Sequence, residues 1–393
     1  CRSIGGTPFR DRGNDGNAKA KRGNGKNPII EPVIPNLFRN LPKRVGKGLD
    51  GAAYPFVTYP IKTNNFLITL YRYLKPGSMI EKKQEYLQRN DRADTGYALF
   101  YTLYQKKDTT PKATLLILHG MQEHSGRYDE FAQYVAERGF AVLTYDHRGH
   151  GRTARDTAEM GFFRKNNPAQ RLLDDVGAMK SLLEGRYPGL PHFVLGHSMG
   201  SFILRTFLRQ EKSAFQGIIL VGTGSRTPEA TLIKAGLHLV NALSPQSRPA
   251  FLNNIFGTLN NARFKQEVNA GATSWLSVSM DNRNAFEQDP LCGVPFTVNG
   301  FLGLLTVHVL ATRRDWSRNL PADQPVVFVG GADDPIGDFG KGVRKTAKRL
   351  EMSGFSNIAV KLYPGMRHEI LNEDIRQEVF EDILQWMENT ISG

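Results

Sequence analysis

The sequence predicts an α/β fold: a mostly parallel central sheet, flanked by helices, with an inserted helical cap. Three observations support it. Short apolar segments alternate with amphipathic helical segments up to residue 223, the alternation stops over residues 224–319, and it resumes at residue 320. Strands that alternate with helices need crossover connections, which build parallel sheets. We therefore expect one sheet domain made of residues 79–223 and 320–393, with residues 224–319 forming the cap.

The elements of the first half follow in order. Predicted strands, rich in β-branched and aromatic residues or uniformly apolar, are Tyr97–Tyr104, Ala113–Leu118, Ala141–Tyr145, Phe193–Leu195 and Gly217–Val221. Apolar residues at helical spacing predict helices over Gly126–Arg138, from Pro168 to about Gly185, and over Ser201–Arg209. Asn167-Pro168 is typical of a helix cap followed by a first-turn proline.

The second half contains the cap and the end of the sheet. Within the cap only Leu232–Leu243 and Phe301–Arg313 have helical character, and no buried strand is evident. The strand pattern returns at Pro325–Val329 and Ile358–Leu362, separated by a predicted helix over Lys341–Glu351. A final helix carries an apolar residue at every fourth position from Ile375 to Ile391.

The first 78 residues differ from the rest in charge and composition. They hold 14 Lys and Arg against 4 Asp and Glu, a net charge of +10, which leaves +3 of the total +13 for residues 79–393. Residues 1–47 are rich in Gly, Asn, Lys and Arg, a composition that buries too little apolar surface to offset chain entropy. We predict that residues 1–78 are a disordered or non-native extension; a natural start at Met79 would give a protein of 315 residues. A basic tail that contacts RNA or membrane is the alternative.

The bulk composition excludes several other classes of protein. Hydrophobic residues make up 40% and charged residues 23%, and no apolar run reaches the roughly 18 residues of a membrane span. Two cysteines cannot form a disulfide framework, which favours a reducing compartment. We expect a cytoplasmic protein, able to lie at a membrane surface. The body has little net charge and no dinucleotide fingerprint or P-loop, so we expect no nucleic acid, no cofactor and no metal.

Gly196-His197-Ser198-Met199-Gly200 carries the strongest chemical signal. The G-x-S-x-G pattern alone is weak, but here it follows the predicted strand Phe193–Leu195 and opens the predicted helix Ser201–Arg209. A strand, a sharp turn and a helix are the context of a nucleophile elbow. The sequence thus predicts Ser198 as a nucleophile.

A serine hydroxyl needs a base to take its proton before it can act as a nucleophile. In a catalytic triad this base is a histidine, which a carboxylate orients. Of nine histidines, His368 follows the last predicted strand, where a loop can return to the elbow. The acid should follow the preceding strand, and Asp333 and Asp334 both do. We favour Asp334, with Asp333 as the alternative acid. The order Ser, Asp, His is that of the hydrolase-fold triad.

Two further loops end buried strands. His119-Gly120-Met121 follows Ala113–Leu118, so the backbone amides of Met121 and Met199 are the candidate oxyanion donors. Asp146-His147-Arg148-Gly149-His150-Gly151 could suggest a metal or phosphate site, but a hydrogen-bonded loop is the favoured interpretation.

These blocks, with His119-Gly120-Met121-Gln122-Glu123-His124-Ser125-Gly126-Arg127-Tyr128, resemble the monoglyceride lipase and lysophospholipase group of α/β-hydrolases over most of residues 79–393. The resemblance implies a serine esterase that hydrolyses a monoacyl lipid ester, a lysophospholipid or a monoacylglycerol, through an acyl-enzyme. It also implies an apolar acyl tunnel in the cap. The corresponding cap residues are Trp275, Leu276, Asp289, Pro290, Leu291, Cys292, Gly293, Phe296 and Thr297.

Two alternatives to a lipid esterase remain at this point. The same superfamily includes small-ester esterases and serine aminopeptidases. A catalytically silent binding protein with the hydrolase fold is the alternative from another class, although the complete set of Ser, Asp and His argues against it.

Overall fold

The computed structural model of the chain describes residues 44–47, 53–63, 66–73, 79–89, 97–212 and 215–392, the first three ranges as backbone only. The chain divides into two units, Cys1–Pro76 and Gly77–Gly393. In the first unit, β1 (Arg44–Lys47), β2 (Ala53–Thr63) and β3 (Phe66–Tyr73) pair as an antiparallel sheet in the order β1-β2-β3. Most of the predicted extension, including residues 1–43, lies outside the described residues.

The second unit is built on an eight-stranded sheet. Its strands are β4 (Ile80–Arg89), β5 (Tyr97–Lys106), β6 (Ala113–Leu118), β7 (Phe140–Tyr145), β8 (His192–His197), β9 (Gly217–Val221), β10 (Val326–Gly331) and β11 (Ile358–Tyr363). They lie in the order β11-β10-β9-β8-β6-β7-β5-β4. The six strands from β6 to β11 pair in parallel, whereas β4 and β5 run antiparallel to their neighbours. The prediction of a mostly parallel α/β sheet is confirmed.

Helices cover both faces of this sheet and fill the connection between β9 and β10. They are α1 (Asp129–Glu137), α2 (Pro168–Arg186), α3 (Met199–Gln210), α4 (Glu229–Leu243), α5 (Ala250–Asn260), α6 (Met280–Gln288), α7 (Val298–Ala311), α8 (Lys341–Met352) and α9 (Arg376–Ser392). Within the described residues, no helix is long and apolar enough to cross a bilayer.

Two buried clusters hold the layers together. One face of the sheet packs with residues of α2, α3, α7 and α8, and the other packs with α1 and α9. Because β6, β8 and β9 are buried along their whole apolar length, their carboxyl ends are held rigidly at the centre of one sheet edge. That edge carries the loops that contain Gly120, Ser198 and Gly222.

The structure departs from the sequence prediction in three places. Helices α5 and α6 were not predicted. Helix α7 was predicted as part of the cap, but it is buried around most of its circumference and packs on α2 and α3 in the main apolar cluster. Asn167 precedes α2 as predicted, but it has a left-handed backbone (φ 52°) and makes no side-chain cap bond. Of the two residues predicted to start α2, only Pro168 acts as expected.

Candidate active site

Ser198 lies in the turn between β8 and α3, and its backbone is strained. Its φ of 51° and ψ of −118° fall in a region that residues other than glycine rarely adopt. Its amide donates to the carbonyl of Val221 at 2.9 Å. A Cβ atom on Gly200 would lie 2.2 Å from the carbonyl oxygen of Leu118, and one on Gly196 would lie 2.6 Å from that of Gly200. Both glycines are therefore required for the turn to pack against its neighbours.

The structure brings Ser198, His368 and Asp334 into one hydrogen-bonded chain. Nε2 of His368 lies 2.8 Å from Oγ of Ser198, and Nδ1 lies 3.0 Å from Oδ2 of Asp334. His368 and Asp334 are buried, whereas Ser198 is half-buried. The second oxygen of Asp334 accepts from the amide of Ile336 at 2.9 Å, which fixes the carboxylate. This arrangement can transfer a proton from the serine hydroxyl to the imidazole.

Asp333, the alternative acid, is not brought to the histidine. Its side chain is exposed, and its amide donates to the carbonyl of Met366 at 3.0 Å. In the turn that follows β10, Asp334 alone of the two aspartates lies within hydrogen-bond distance of His368.

The backbone of the His119–Met121 loop is fixed by a buried histidine pair. Nδ1 of His119 lies 2.8 Å from the carbonyl oxygen of Gly120, and its Nε2 accepts from the amide of His147 at 2.9 Å. Burial lowers the pKa of His119 well below its ordinary value, with His147 adding to the effect, so the ring is neutral and Nδ1 carries the hydrogen. In a trans peptide the C=O and N–H point in opposite directions. Anchoring the carbonyl of Gly120 therefore orients the amide of Met121.

The amides of Met121 and Met199 make no hydrogen bond with any of the described residues. Met121 lines the cavity at Ser198, and Met199 is the first residue of α3. Two free N–H groups beside a serine can bind the oxygen of a tetrahedral intermediate.

A buried ionic network lies behind the triad, and sequence reasoning did not identify it. Oε1 of Glu123 accepts from the amide of Gly120 at 2.5 Å and from the hydroxyl of Tyr128 at 2.8 Å, and lies 3.1 Å from Nδ1 of His197. Arg127 pairs with both Glu123 and Glu369.

The electrostatics of the network follow from its burial and its pairing. Burial would raise the pKa of Glu123, but the hydrogen bond and charge of His197, with Arg127, outweigh it and lower the pKa to about 2. Burial would lower the pKa of His197, but the bond to Glu123 raises it above its ordinary value. Burial raises the pKa of Glu369, although Arg127 opposes this.

The cavity at Ser198 has a volume of about 30 Å³. Its lining residues are Gly120, Met121, Gln122, Glu123, His197, Ser198, Phe256, Trp275, Leu276, Phe286, His368 and Glu369. The Trp275 ring lies 5.0 Å from the His368 ring, between centroids, and covers it. This volume holds a few water molecules at most and is too small for an acyl chain.

Only part of the predicted cap set reaches this cavity. Trp275 and Leu276 line it, whereas Phe296 is buried in the main apolar cluster beside Phe163. Phe256 of α5 and Phe286 of α6 line the cavity but were not predicted, because neither helix was recognised.

Among the described residues, two groups have side chains that can bind metals. His124, Asp289 and Cys292 have potential ligand atoms within 4.8 Å of one another, but Nε2 of His124 already bonds Oδ2 of Asp289 at 2.8 Å. Burial also raises the pKa of the Cys292 thiol to about 12, so it remains a thiol. These contacts tie the His124 loop to the loop after α6.

The loop that starts at Asp146 is held by hydrogen bonds. Asp146 accepts from the amide of Ser125 at 2.8 Å and from that of Arg152 at 2.7 Å. Arg148 forms a buried two-point ion pair with Asp175 at 3.0 and 2.9 Å. The side chains of the loop serve to brace one another and the neighbouring α2.

Comparison with known proteins agrees with this geometry. The family model for serine aminopeptidase S33 (Hydrolase_4) matches residues 109–375. The chain is similar to the monoglyceride lipase homolog of monkeypox virus (28% identity, 74% of this chain and 95% of that protein) and to human monoglyceride lipase (27%, 72% and 85%). Among solved structures it is similar to a thermostable carboxyl esterase from Bacillus coagulans in complex with glycerol (27% identity, TM-score 0.72, 79% of this chain and 99% of that one).

The family match spans well over half of the chain and covers the six parallel strands β6 to β11, the elbow and the loops of Asp334 and His368. The fold, the sheet order and the relatives agree with one another. The chain therefore belongs to the serine aminopeptidase S33 (Hydrolase_4) family of α/β-hydrolases and is a serine hydrolase.

Proposed function

We propose that this protein hydrolyses carboxylic esters of single acyl chains, monoacylglycerol or lysophospholipid, through an acyl-enzyme on Ser198. The observation that carries the proposal is the unbroken hydrogen-bonded chain from Ser198 through His368 to Asp334. Because the serine lies at a half-buried turn while the other two are buried, its hydroxyl is the group of the three that is placed to attack a substrate.

The reaction follows from the distances. Oγ of Ser198 attacks the ester carbonyl carbon while its proton passes to Nε2 of His368, 2.8 Å away. Asp334 stabilises the resulting imidazolium. The carbonyl oxygen becomes an oxyanion, which the amides of Met121 and Met199 receive. Collapse breaks the ester C–O bond, and His368 gives its proton to the departing alcohol. Water, activated by the same nitrogen, then releases the fatty acid and restores Ser198.

The lining of the cavity supports a substrate with one apolar and one polar end. Phe256, Trp275 and Phe286 offer an apolar wall for an acyl chain, whereas Gln122 adds a polar side chain to the same lining. A volume of about 30 Å³ requires the segment that carries Trp275 to move before a long chain enters. We propose that this movement opens the acyl tunnel.

The functions of similar proteins favour monoacylglycerol among these substrates. Two of the relatives are described as monoglyceride lipases or their homologs, and the similar esterase structure holds glycerol. A small-ester esterase is the second candidate, and the small closed volume at Ser198 is the observation that favours it.

A substrate panel tests the proposal. We expect the kcat/KM for a dodecanoyl monoester to exceed that for the acetyl monoester by at least 100-fold, since each buried methylene contributes about 0.8 kcal/mol. Monododecanoylglycerol should be cleaved faster than the lysophospholipid or an aminoacyl amide. Equal kcat/KM values for acetyl and dodecanoyl esters would favour the small-ester function, and faster cleavage of the amide would favour an aminopeptidase.

We also propose that the protein takes its substrate at a lipid surface. Exposed apolar residues recur along one face of α4 and along α5, at Leu232, Ile233, Leu239, Val240, Leu243, Phe251, Ile255 and Leu259. Leu243 and Leu232 are 89% and 78% exposed, which costs free energy in water and is typical of a docking face. Phe256 of α5 lines the catalytic cavity, so this face adjoins the place where an acyl chain would enter.

Paired variants test the lipid contact. Leu239→Ser with Leu243→Ser should weaken binding to phosphatidylcholine vesicles several-fold and slow hydrolysis of vesicle-bound monoacylglycerol, while turnover of a soluble ester stays unchanged. Met352→Ser, at a 77% exposed apolar residue of α8, is the matched control and should alter neither. Unchanged vesicle binding by the double variant would contradict the proposal.

A further inference from the structure

A second, small cavity lies among α3, the segment after α7 and α8. Its volume is about 10 Å³, and its lining residues are Arg205, Ser225, Thr312, Arg313, Arg314, Trp316, Thr346, Arg349 and Leu350. Four of the nine residues are arginines, three carry hydroxyl groups, and none of the nine is acidic. A cavity with this lining is strongly positive.

Arg205, which belongs to the helix that starts at the catalytic elbow, is the centre of the cavity. It is only 1% exposed, and its Nη1 donates to the carbonyl of Gly224 at 2.9 Å and to the hydroxyl of Thr223 at 3.3 Å. Its Nε has no hydrogen-bond partner among the described residues. The guanidinium carbon stacks 4.8 Å above the ring of Trp316. A buried charge with neutral partners alone is costly unless an opposite charge accompanies it.

The nearby acid does not supply that charge. Asp315 pairs with Arg209 at 3.0 Å and with Arg313 at 3.0 Å, and these hydrogen bonds lower its pKa. Within the described part of the chain, Arg349 has no ion-pair partner. Burial, with the charge of Arg349, lowers the pKa of Arg205 to about 9, which agrees with a guanidinium that lacks a counter-ion from the protein.

We propose that this cavity binds one small monovalent anion of the size of chloride or bromide, held between Arg205 and Arg349. A cavity of about 10 Å³ has room for one small particle at most, so a single monatomic anion suits it, whereas phosphate, with four oxygens, is too large. The hydroxyls of Thr312 and Thr346 donate to the carbonyls of His308 and Gly342, so the guanidinium groups are the donors that would hold the anion.

The bound anion would stabilise the wall of the catalytic site from behind. Arg205 joins α3, which begins directly after Ser198, to Thr223 and Gly224, which follow β9. An anion that neutralises the charge of Arg205 would strengthen this connection, although the anion does not contact the substrate. The site is therefore a structural anion site, and its occupancy should appear in thermal stability before it appears in turnover.

The first test is crystallographic and uses sodium bromide with the full chain. Crystals grown or soaked in bromide should show an anomalous difference peak within hydrogen-bond distance of the Arg205 guanidinium. The absence of a peak there, when bromide occupies other places on the surface, would overturn the proposal.

The second test compares melting temperatures in sodium bromide and sodium gluconate at equal ionic strength. The wild-type chain should melt about 2–4 °C higher in bromide, the shift expected for a ligand that binds the native state alone. Arg349→Gln should lose most of this difference. Arg344→Gln, an exposed residue of the same helix with the same charge change, should keep it. Arg205→Met removes the central charge and should also abolish the difference.

These variants separate a specific site from a general salt effect. If Arg349→Gln retains the full bromide shift, halide acts elsewhere and the proposal is wrong. If Arg205→Met does not fold, the bromide peak and the comparison of Arg349→Gln with Arg344→Gln still decide the question.

Discussion

The side chain of His197 supports the backbone of the residue that serves as base: its Nε2 lies 3.2 Å from the carbonyl oxygen of His368. On the other side, Nδ1 lies 3.1 Å from Glu123. Both partners are acceptors, a carboxylate and a carbonyl, so the doubly protonated ring can donate to each of them, and the bond to Glu123 raises the pKa of His197. The residue before the nucleophile thus connects the oxyanion loop, through Glu123, to the loop of the catalytic histidine.

His197→Gln should therefore reduce kcat more than it changes KM. A side chain with one donor group cannot hold both Glu123 and the carbonyl of His368, and small displacements of a base cost up to about 100-fold in rate. Steady-state kinetics on a soluble ester check this. An unchanged kcat in a variant that still folds would show that the His368 loop needs no such support.

Glu123→Gln should alter the pH dependence of stability. A carboxyl whose folded pKa is lowered to about 2 stabilises the protein above its ordinary pKa of 4.5, and this contribution is lost as the pH falls from 4.5 toward 2. At pH 7 the variant should lose about 3 kcal/mol of unfolding free energy, because His197 remains buried without its carboxylate and Arg127 keeps only Glu369. Urea unfolding from pH 7 to pH 3 measures it, and the difference between the two proteins should shrink as the pH falls.

Asp334→Asn and Asp333→Asn form a matched pair. Asp334 alone bonds His368, so its amide variant should lower kcat by roughly 10⁴-fold while leaving the fold intact. Asp333 is exposed, and its variant should stay within about threefold of the parent. The reverse ranking would move the triad acid to Asp333.

A chain that begins at Met79 should fold and hydrolyse soluble esters as the full chain does. The triad, the oxyanion amides and the eight-stranded sheet all lie beyond that residue. The shorter chain loses +10 of the +13 charge, so its affinity for heparin at low salt should fall sharply. A large drop in melting temperature would show that residues 1–78 contribute to the stability of the catalytic unit.

The sequence predicted the catalytic residues best where each one lies directly beside a recognisable strand or helix. The pattern around Ser198 requires a strand before it and a helix after it, and both periodicities are visible within about fifteen residues. His368 and the Asp333-Asp334 pair could be located because each follows a recognisable strand. The choice between the two aspartates depended on loop geometry, which no periodicity encodes.

The residues that sequence reasoning missed act over long separations. Arg127 and Glu369 are 242 residues apart, and nothing local indicates that they meet. The four-residue spacing of Glu123 and Arg127 was a visible signal for a paired acid and base. Helices α5 and α6 were missed because they are short, with 11 and 9 residues, and lie among polar and proline-containing stretches.

The most direct test of the central claim is the site of labelling by a fluorophosphonate, which reacts with activated serines. Intact-mass spectrometry should show one adduct per wild-type chain, and peptide mapping should place it on Ser198. Ser198→Ala, with an unchanged melting temperature and an esterase activity reduced by about 10⁶-fold, should take up no label. Labelling at another residue, or esterase activity of Ser198→Ala within tenfold of the parent, would contradict an acyl-enzyme on Ser198.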